Sequence, residues 1–300
     1  MERYYSLNAY LKKKYGEKVY KLALDLGFTC PNRDGKISTG GCIFCAGGAG
    51  EFAEKGGDIK TQIERAKRRV ADKISSGKYI AYFQSYTNTY APVKILENLF
   101  MQAIELPEIV ALSIATRPDC LPDDVLLLLK KLNRIKPVTV ELGLQTIHEK
   151  TAQFINRGYS LSVYDSAVSN LKNIGVEVVT HVILGLPYEN KQMMLDSVKH
   201  VAKVGSDGIK LQLLHVLEGT LLETLYKNGE FNTLSFDEYL DILCDAIEIL
   251  PPEIVIHRIT GDAPKRLLVA PLWSADKKRV LNFIKAEFEK RNVIQGKRYE

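Results

Sequence analysis

The sequence has few cysteines, no long apolar run and no compositional bias, and each absence narrows its class. Five cysteines among 300 residues form no paired framework, which argues against a secreted disulfide protein and for a reducing compartment. No apolar stretch follows Met1, and no uninterrupted apolar run approaches the roughly 18 residues that a membrane helix needs. We therefore expect a soluble, cytoplasmic protein without a membrane partner.

Low-complexity segments, linkers rich in Pro and Ser, and short repeats are also missing. Apolar residues make up 46% of the sequence, enough for one large core, and we expect one main domain. The predicted division is an N-terminal extension at 1–17, a barrel at 18–260, and a C-terminal loop and helix at 261–300 that pack on the barrel. The net charge of +5 permits an anionic partner such as nucleic acid without requiring one.

What is present is an alternation of apolar, β-branched runs with longer segments of helical period, which indicates an α/β fold. The predicted strands are 19–24, 79–84, 109–115, 138–143, 176–184, 208–214 and 253–257. Ser235 and Glu238 predict a capping box at the start of one helix, and Ser274 is predicted to begin the last helix. Strands separated by helices must run parallel. The pattern predicts a β/α barrel or an open wound sheet.

Polar residues follow the predicted strands at the edge where ligands bind in either architecture. A cysteine-containing loop follows the first strand, residues 84–88 follow the second, and residues 116–119 follow the third. Gln145 follows the fourth strand and His215 the sixth. We therefore expect the functional site at this edge.

Cys30, Cys42 and Cys45 stand in the glycine-rich loop GFTCPNRDGKISTGGCIFC. Two residues separate Cys42 from Cys45, so both sulfurs can turn toward one metal centre, while Cys30 reaches in across eleven residues. Three thiolates hold three corners of a 4Fe-4S cube and leave one iron open, whereas a structural site takes all four ligands from protein. The alternative is zinc, which would need Cys120 or a histidine as fourth ligand. Cys120 and Cys244 are interpreted as ordinary thiols.

These motifs resemble those of the radical S-adenosylmethionine (SAM) enzymes, whose cysteine loop ends in Cys, any residue, aromatic, Cys on a β/α barrel. The usual loop has three residues between its first two cysteines, and the eleven here resemble the subgroup related to the elongator acetyltransferase's radical domain. More narrowly, the chain resembles the bacterial YhcC/YtqA-like family. The similar blocks are GFTCPNRDG, GGCIFC, YFQSYTNTYAP, ATRPDCLPD, ELGLQT, NRGY, HVILGLPYE and RITGDAPKRLLVAPLWS.

The resemblance implies an α/β fold with a partial (β/α)6 TIM-like radical SAM barrel, extended by a short seventh strand. It also implies one 4Fe-4S cluster on the three loop cysteines. In such enzymes the open iron chelates the amino and carboxylate groups of SAM, and one electron splits the sulfonium bond to give a 5′-deoxyadenosyl radical. That reduction implies a low-potential electron donor such as flavodoxin or ferredoxin. The glycines near the cysteines would let backbone N–H groups point at the cluster; they are Gly40, Gly41, Gly47 and Gly48.

The resemblance also implies positions that bind SAM. Phe44 matches an aromatic residue that packs near adenine, and Ile183 lies on the strand whose backbone reads adenine. Gln145 and Arg157 match a Gln and an Arg that hold the aminoacyl part and its carboxylate, and a guanidinium suits a carboxylate because it donates two parallel hydrogen bonds.

At other SAM-binding positions the chain departs from the family pattern. The glycine-rich GGE element expected after the second strand is absent, and Gln84 and Asn88 are the candidates there to receive the SAM ammonium. Where relatives carry an acid for the ribose, this chain has His181. Glu141 points inward from the fourth strand, and a buried carboxylate is rare unless it is paired.

The substrate residues are predicted from polar side chains near the last strands, and these residues are Lys210, Gln212, His215, Arg258 and Asp262. The catalytic residue is unassigned. Tyrosines at the same edge, at positions 86, 90 and 188, are candidates to stack a base. The resemblance implies tRNA as substrate and completion of the aminomethyl side chain at position 5 of wobble uridine. A small metabolite or peptide substrate, and a non-enzymatic iron-sulfur or electron-transfer module, are the alternatives.

Overall fold

The computed structural model describes residues 2–46, 52–73 and 77–299, so Gly47 and Gly48 lie outside the described residues. The strands are β1 (Tyr20–Leu24), β2 (Tyr79–Phe83), β3 (Ile109–Thr116), β4 (Val138–Gln145), β5 (Glu177–Leu184), β6 (Gly208–Leu213), β7 (Val216–Leu217), β8 (Val255–Arg258) and β9 (Leu268–Ala270). The helices are α1 (Leu7–Tyr15), α2 (Ile59–Val70), α3 (Val93–Ile104), α4 (Asp123–Asn133), α5 (Glu149–Phe154), α6 (Leu161–Asn173), α7 (Lys191–Lys203), α8 (Leu221–Lys227), α9 (Phe236–Ile249) and α10 (Lys277–Lys290).

In the described part of the chain, seven strands form one parallel sheet in the order β1-β2-β3-β4-β5-β6-β8. All seven predicted strands are confirmed, with bounds that shift by up to two residues. The strand order follows the chain without a reversal, so the sheet lacks the switch point of an open wound fold. It is the curled half-barrel of a partial TIM barrel, as predicted.

One face of the curled sheet packs against the helices and the other lines a lumen. Alternate strand residues such as Leu22, Phe83 and Leu112 join the helix-side core, where the Phe83 ring lies 5.1 Å from that of Phe100 on α3. The residues between them, including Lys21 and Tyr82, therefore face the lumen, because successive side chains of a strand point to opposite faces. This alternation positions the polar residues described below.

The helix boundaries follow local side-chain chemistry. The capping box of Ser235 and Glu238 is confirmed at the start of α9. The prediction that Ser274 begins the last helix is wrong. Asp276 caps α10 by accepting a hydrogen bond from Arg279 N at 3.1 Å, and an aspartate is as good a cap as a serine. Ser274 instead lies in a short 3-10 turn and donates to Pro271 O at 2.8 Å.

Two features near the chain ends were not predicted. Helix α1 covers part of the amino end of the lumen, where Leu11 packs with Ile80 and Ala111 and Tyr10 donates to Glu177 at 2.5 Å. Strands β7 and β9 pair antiparallel outside the main sheet. No helix in the described ranges has the length and apolar character to span a membrane. The division at 17 and 260 stays a prediction.

Candidate functional site

The cysteine loop leaves the carboxyl end of β1 and closes on itself. Gly41 N donates to Asn32 O at 2.8 Å, which brings the residue before Cys42 back beside the segment that follows Cys30. Gly41 has a φ of 86°, a conformation that glycine adopts without steric cost. Cys45 N donates to Cys42 O at 2.9 Å, so these two cysteines share one tight turn. The eleven-residue excursion thus returns the second and third cysteines toward the first.

Cys30 and Cys45 both lie close enough to Cys42 for their charges to raise the pKa of its thiol. Among residues 2–46, 52–73 and 77–299, no group of three or more His, Cys, Asp or Glu converges closely enough to hold one metal ion. Zinc requires all its ligands about 2.0–2.3 Å from a single centre, whereas a cube attaches each thiolate to a different iron. Cys120, the proposed fourth zinc ligand, instead directs its thiol toward Asp119 Oδ1 at 3.8 Å.

Two polar side chains surround Cys42. Asn32 is fully buried, and its Nδ2 lies 3.7 Å from Cys42 Sγ. Burial raises the pKa of the Cys42 thiol to about 11; Cys45 adds to the increase and Arg117 opposes it. Arg117 is fixed by Asp119, with Nη2 to Oδ2 at 2.7 Å. Asn32 and Arg117 were not predicted, and the only sequence signal for them is their place in the loops that follow β1 and β3.

Buried acceptors without partners lie where the SAM ammonium was predicted to bind. Ser85 Oγ and Asn88 Oδ1 are buried and have no hydrogen-bond partner within the described part of the chain. The Asn88 amide nitrogen donates to Phe83 O and Ala115 O at 3.0 and 2.8 Å, which fixes the direction of its oxygen. A buried polar atom without a partner costs free energy. These acceptors fit a bound ammonium group, and Gln84 lies beside them in the chain.

Gln145 and Arg157, the predicted aminoacyl-binding pair, have different surroundings. Gln145 ends β4 with a φ of 68°. Its side-chain amide nitrogen lies over Gly143, so close that a Cβ atom added to this glycine would be only 2.7 Å from it. Arg157 is buried, and its donors reach carbonyl oxygens at 2.5 to 3.1 Å, those of Leu144, Thr146 and Tyr159. Its guanidinium therefore holds the loop around Gln145, and its role toward a SAM carboxylate stays a prediction.

The structure brings together the two residues predicted near adenine. Phe44 packs on a small apolar cluster that contains Ile183, apart from the main core. Ile43 N donates to Ile155 O at 3.2 Å, which holds this end of the cysteine loop against the segment after α5. The aromatic ring that precedes Cys45 and the β5 strand thus meet in one apolar cluster.

Glu141 and His181 lie deeper, in the lumen. The Glu141 carboxylate is 1% exposed. Five side chains form hydrogen bonds with it: Lys21 at 2.6 Å, Ser113 at 2.8 Å, Tyr82 at 3.0 Å, His181 at 2.8 Å, and Lys210. We call Glu141 and these five side chains the lumen network. Burial alone would raise the pKa of Glu141, but the two lysines outweigh it and hold that pKa well below its usual value. Both carboxylate oxygens are saturated, so Glu141 has little left to offer SAM.

The lumen network was only partly visible in the sequence. Lys21, Tyr82 and Ser113 were not predicted, although a lysine within an apolar strand was a usable signal for the first. Burial and the nearby Lys210 lower the pKa of His181 to about 4, while Glu141 opposes this. Burial likewise lowers the pKa of Lys210 to about 7, again against Glu141. The imidazole is therefore neutral at physiological pH.

The predicted substrate residues lie on strands β6 and β8 and in the segments that follow them. Lys210 belongs to the lumen network and is the register partner of Arg258 on β8, while Gln212 is the register partner of Ile183 on β5. His215 bonds Ser274 at 3.1 Å and lies near enough to Asp262 and Arg258 for their charges to act on it. Arg258 and Asp262 form an ion pair at 3.0 Å, and Lys277 also contacts Asp262. The roles of all five residues stay predictions.

Comparison with known proteins now decides the family. Residues 30–201 match the Radical SAM superfamily, and residues 206–290 match the Radical_SAM C-terminal domain. The chain belongs to the radical SAM superfamily. Radical SAM enzymes use a 4Fe-4S cluster and SAM, and these cofactors were predicted. The cysteine loop and the unpartnered Ser85 and Asn88 are consistent with this pair.

Three relatives place the chain within the superfamily. It is 48% identical to the uncharacterized protein YtqA of Bacillus subtilis over 301 residues, covering all of this chain and 94% of YtqA. It is 39% identical to YhcC of Escherichia coli over 264 residues, 88% of this chain and 85% of that one. Identity to the tRNA uridine(34) acetyltransferase of Methanocaldococcus jannaschii is 31% over 163 residues, 53% of this chain but 30% of the acetyltransferase. The YhcC/YtqA-like, elongator-related radical SAM assignment is confirmed.

A solved structure confirms the fold. Elp3 of Methanocaldococcus infernus superposes with a TM-score of 0.70 at 20% identity, covering 92% of this chain. The chain spans 64% of that Elp3 structure. The radical SAM barrel is therefore shared.

Proposed function

We propose that this radical SAM enzyme modifies the wobble uridine of tRNA, at an aminomethyl-type substituent on position 5. The observation that carries the proposal is the 31% identity to a tRNA uridine(34) acetyltransferase. The name of that enzyme places its activity at the same nucleoside, and the aligned region covers about half of this chain. A shared barrel supports shared substrate chemistry only as an analogy, so the proposal needs support from the site itself.

We define the carboxyl edge as the carboxyl ends of the parallel strands with their following loops. Different residues at this edge would bind different parts of the two cofactors. The three loop cysteines would hold the cluster, and Asn32 would donate a hydrogen bond to the Cys42 sulfur. Ser85 and Asn88 would accept from the SAM ammonium. Phe44, Gln145 and Ile183 would flank the rest of SAM. The chemistry supplied when both cofactors are bound is hydrogen abstraction by a 5′-deoxyadenosyl radical. A low-potential donor such as flavodoxin or ferredoxin would deliver the electron.

Basic and aromatic side chains alternate around the cysteine loop. The Arg33 guanidinium lies 5.6 Å from the Tyr86 ring centroid, and Lys36 Nζ lies 5.3 Å from that of Tyr90. Tyr188 is 66% exposed and contacts the Phe154 ring edge-on at 5.1 Å. Aromatic rings with nearby cations are the groups that stack and hold unpaired RNA bases. They support an RNA substrate approaching from this edge.

The test is a comparison of modified nucleosides in tRNA from cells with and without the gene. We expect loss of one position-5-substituted uridine and accumulation of its precursor in the deletion strain, measured by liquid chromatography and mass spectrometry. Restoration by the intact gene and not by a Cys42→Ala variant is the control. An unchanged nucleoside profile would remove RNA and favour a metabolite or a peptide as substrate.

A second measurement separates enzyme from electron-transfer module. The purified protein, reconstituted with iron and sulfide under anaerobic conditions, is reduced with dithionite in the presence of SAM. We expect release of 5′-deoxyadenosine. Iron binding without any 5′-deoxyadenosine would favour a non-enzymatic iron-sulfur module instead.

A further inference from the structure

Asn32 is a fully buried residue of the cysteine loop, and its side-chain amide has a fixed orientation. Its Nδ2 donates to Asn156 O and lies 3.7 Å from Cys42 Sγ. An amide nitrogen carries two N–H donors, so one serves the carbonyl and the other is directed at the sulfur. The opposite orientation would set the amide oxygen against two acceptors, the Asn156 carbonyl and the Cys42 sulfur, and is therefore unfavourable.

This orientation leaves the amide oxygen of Asn32 at a disadvantage. Oδ1 is buried and has no hydrogen-bond partner within the described ranges. It lies over Gly158, where an added Cβ would come within 2.8 Å of it. A buried acceptor without a partner costs free energy, and an apolar side chain of similar size would avoid that cost. Stability therefore does not account for an asparagine at this position, which points to a role for its nitrogen.

Asn156, which follows α5, holds the cysteine loop around Asn32. Its Nδ2 donates to Gly41 O at 2.8 Å and to Ser38 Oγ at 3.1 Å. Gly41 N in turn donates to Asn32 O at 2.8 Å. The residue before Cys42 is thus bonded to both asparagines, so a rotation of the Asn32 side chain away from the sulfur would break its bond to Asn156. The Gly41 N–H, predicted to point at the cluster, is already donated to Asn32.

Arg117, the other polar side chain near Cys42, has different partners. Its Nε and Nη2 donate to the two carboxylate oxygens of Asp119 at 2.9 and 2.7 Å, and its Nη1 donates to Arg157 O at 2.9 Å. The carboxylate balances the guanidinium charge, so the pair changes the electrostatic potential at Cys42 less than a free cation would. Asn32 is thus the side chain that donates to the sulfur itself.

We propose that Asn32 sets the reduction potential of the cluster by donating one hydrogen bond to the Cys42 thiolate. An N–H donor on a ligating sulfur stabilises the more negative, reduced form of a cluster, and hydrogen bonds to sulfur are one of the factors that set such potentials. One electron from the low-potential donor enters the cluster, while the amide neither gains nor loses a proton. Asn32 is therefore a positioning residue that makes reduction easier. The inference goes beyond the tRNA function and needs no particular substrate.

The first test measures the potential directly. Protein reconstituted with iron and sulfide is titrated anaerobically with dithionite and mediator dyes, and the reduced cluster is followed by electron paramagnetic resonance. Asn32→Leu keeps the side-chain size but removes the donor, and it should lower the midpoint potential by about 59 mV, a tenfold change for one electron. Asn170→Leu, at an exposed position of α6, is the matched control and should keep the parent potential. An Asn32→Leu variant with full iron content and the parent potential would overturn the proposal.

The second test needs no substitution, so it decides the question even where Asn32→Leu fails to fold or to hold iron. The unaltered protein is produced with asparagine that carries the heavy nitrogen isotope in its side-chain amide only, and the reduced cluster is studied by pulsed electron paramagnetic resonance. We expect a coupling between this nitrogen and the unpaired electron, and the coupling should persist in Asn170→Leu. A reduced cluster without such a coupling would show that no asparagine amide donates to it. Neither test contains tRNA, so an unchanged nucleoside profile in the deletion strain would remove the proposed function and leave this inference in place.

Discussion

Among the described residues, buried polar groups lack hydrogen-bond partners at the carboxyl edge but are bonded to one another in the lumen network. At the edge, Ser85 Oγ and Asn88 Oδ1 are buried without partners in the described part of the chain, and Tyr86 and Gln145 adopt positive φ values of 55° and 68°. Such backbone conformations cost about 1–3 kcal/mol each. In the lumen, the Glu141 carboxylate is surrounded by donors. We therefore expect a ligand to complete the edge, whereas we expect the lumen network to hold its own geometry and to contribute to stability.

The largest effect that would sharpen this comparison comes from the cysteine loop. Cys42→Ala should reduce iron and sulfide bound after anaerobic reconstitution to less than about a tenth of the parent level, because a cube held by only two thiolates dissociates readily. Iron content and visible absorbance measure this. Cys244→Ala, inside α9, is the matched control and should retain the full iron content. Equal iron loss in Cys120→Ala would instead indicate a metal site in which Cys120 is the fourth protein ligand.

Removal of the central carboxylate should have the next largest effect. Glu141→Gln leaves Lys21 and Lys210 without a counter-charge, and breaking a buried ion pair in this way costs about 3–5 kcal/mol of unfolding free energy. Urea unfolding measures it. Glu253→Gln, on an exposed residue before β8, should change stability by less than about 0.5 kcal/mol. A fully stable Glu141→Gln would show that the network contributes nothing to stability and would break the contrast with the edge.

A pair of serine variants tests both regions at once. Ser85→Ala removes an unpartnered buried hydroxyl, so the unfolding free energy should not fall, while the dissociation constant for SAM should rise about tenfold through loss of a hydrogen bond to a charged group. Ser113→Ala removes bonds to Glu141 and Lys21 and should cost about 1–3 kcal/mol of stability with SAM affinity unchanged. Calorimetry gives both quantities. The same pattern in both variants would contradict the distinction.

The smallest effect is a pH dependence set by the lumen. The folded pKa of His181 is about 4, below its ordinary 6.5, so between these values the unfolded chain binds more protons. Stability from this group therefore rises with pH across that window and is lost as the pH falls toward 4. His181→Gln should lower the slope of unfolding free energy against pH by up to about 1.4 kcal/mol per pH unit. A slope in His181→Gln equal to that of the parent would exclude a buried neutral His181.

The fold was predictable because its determinants are local. Each strand of the main sheet is an apolar run, and the helices between the strands carry their own caps, such as Ser235 at α9. At Ser274 and Asp276 the local cap signals were equal, so the sequence did not distinguish the serine of the preceding 3-10 turn from the aspartate that caps α10. The β7 and β9 strands, two and three residues long, are too short to show a period.

The residue types of the site were predictable from the sequence, but the contacts between those residues were less so. The three cysteines were evident from their spacing, and Phe44 and Ile183 do lie in one cluster. The surroundings of Arg157 could not be read from the sequence, because they depend on which backbone carbonyls the loop after β4 turns toward it. Lys21 joins Glu141 across three strand pairings of the curled sheet, a contact separated by 120 residues in sequence. Curvature, and not local pattern, creates such contacts.

The small residues Ala23, Ala115 and Gly143 determine how much room the lumen has above the lumen network. They face the same side of the sheet as Lys21, Ser113 and Glu141, and two residues along a strand correspond to about 7 Å, so this small-residue layer lies about that far toward the carboxyl edge. A bulky side chain at any of these three positions would fill the lumen at that height. The depth available to a molecule that enters from the edge is therefore set by side-chain size at three alternate strand positions, and not by the polar groups beneath them.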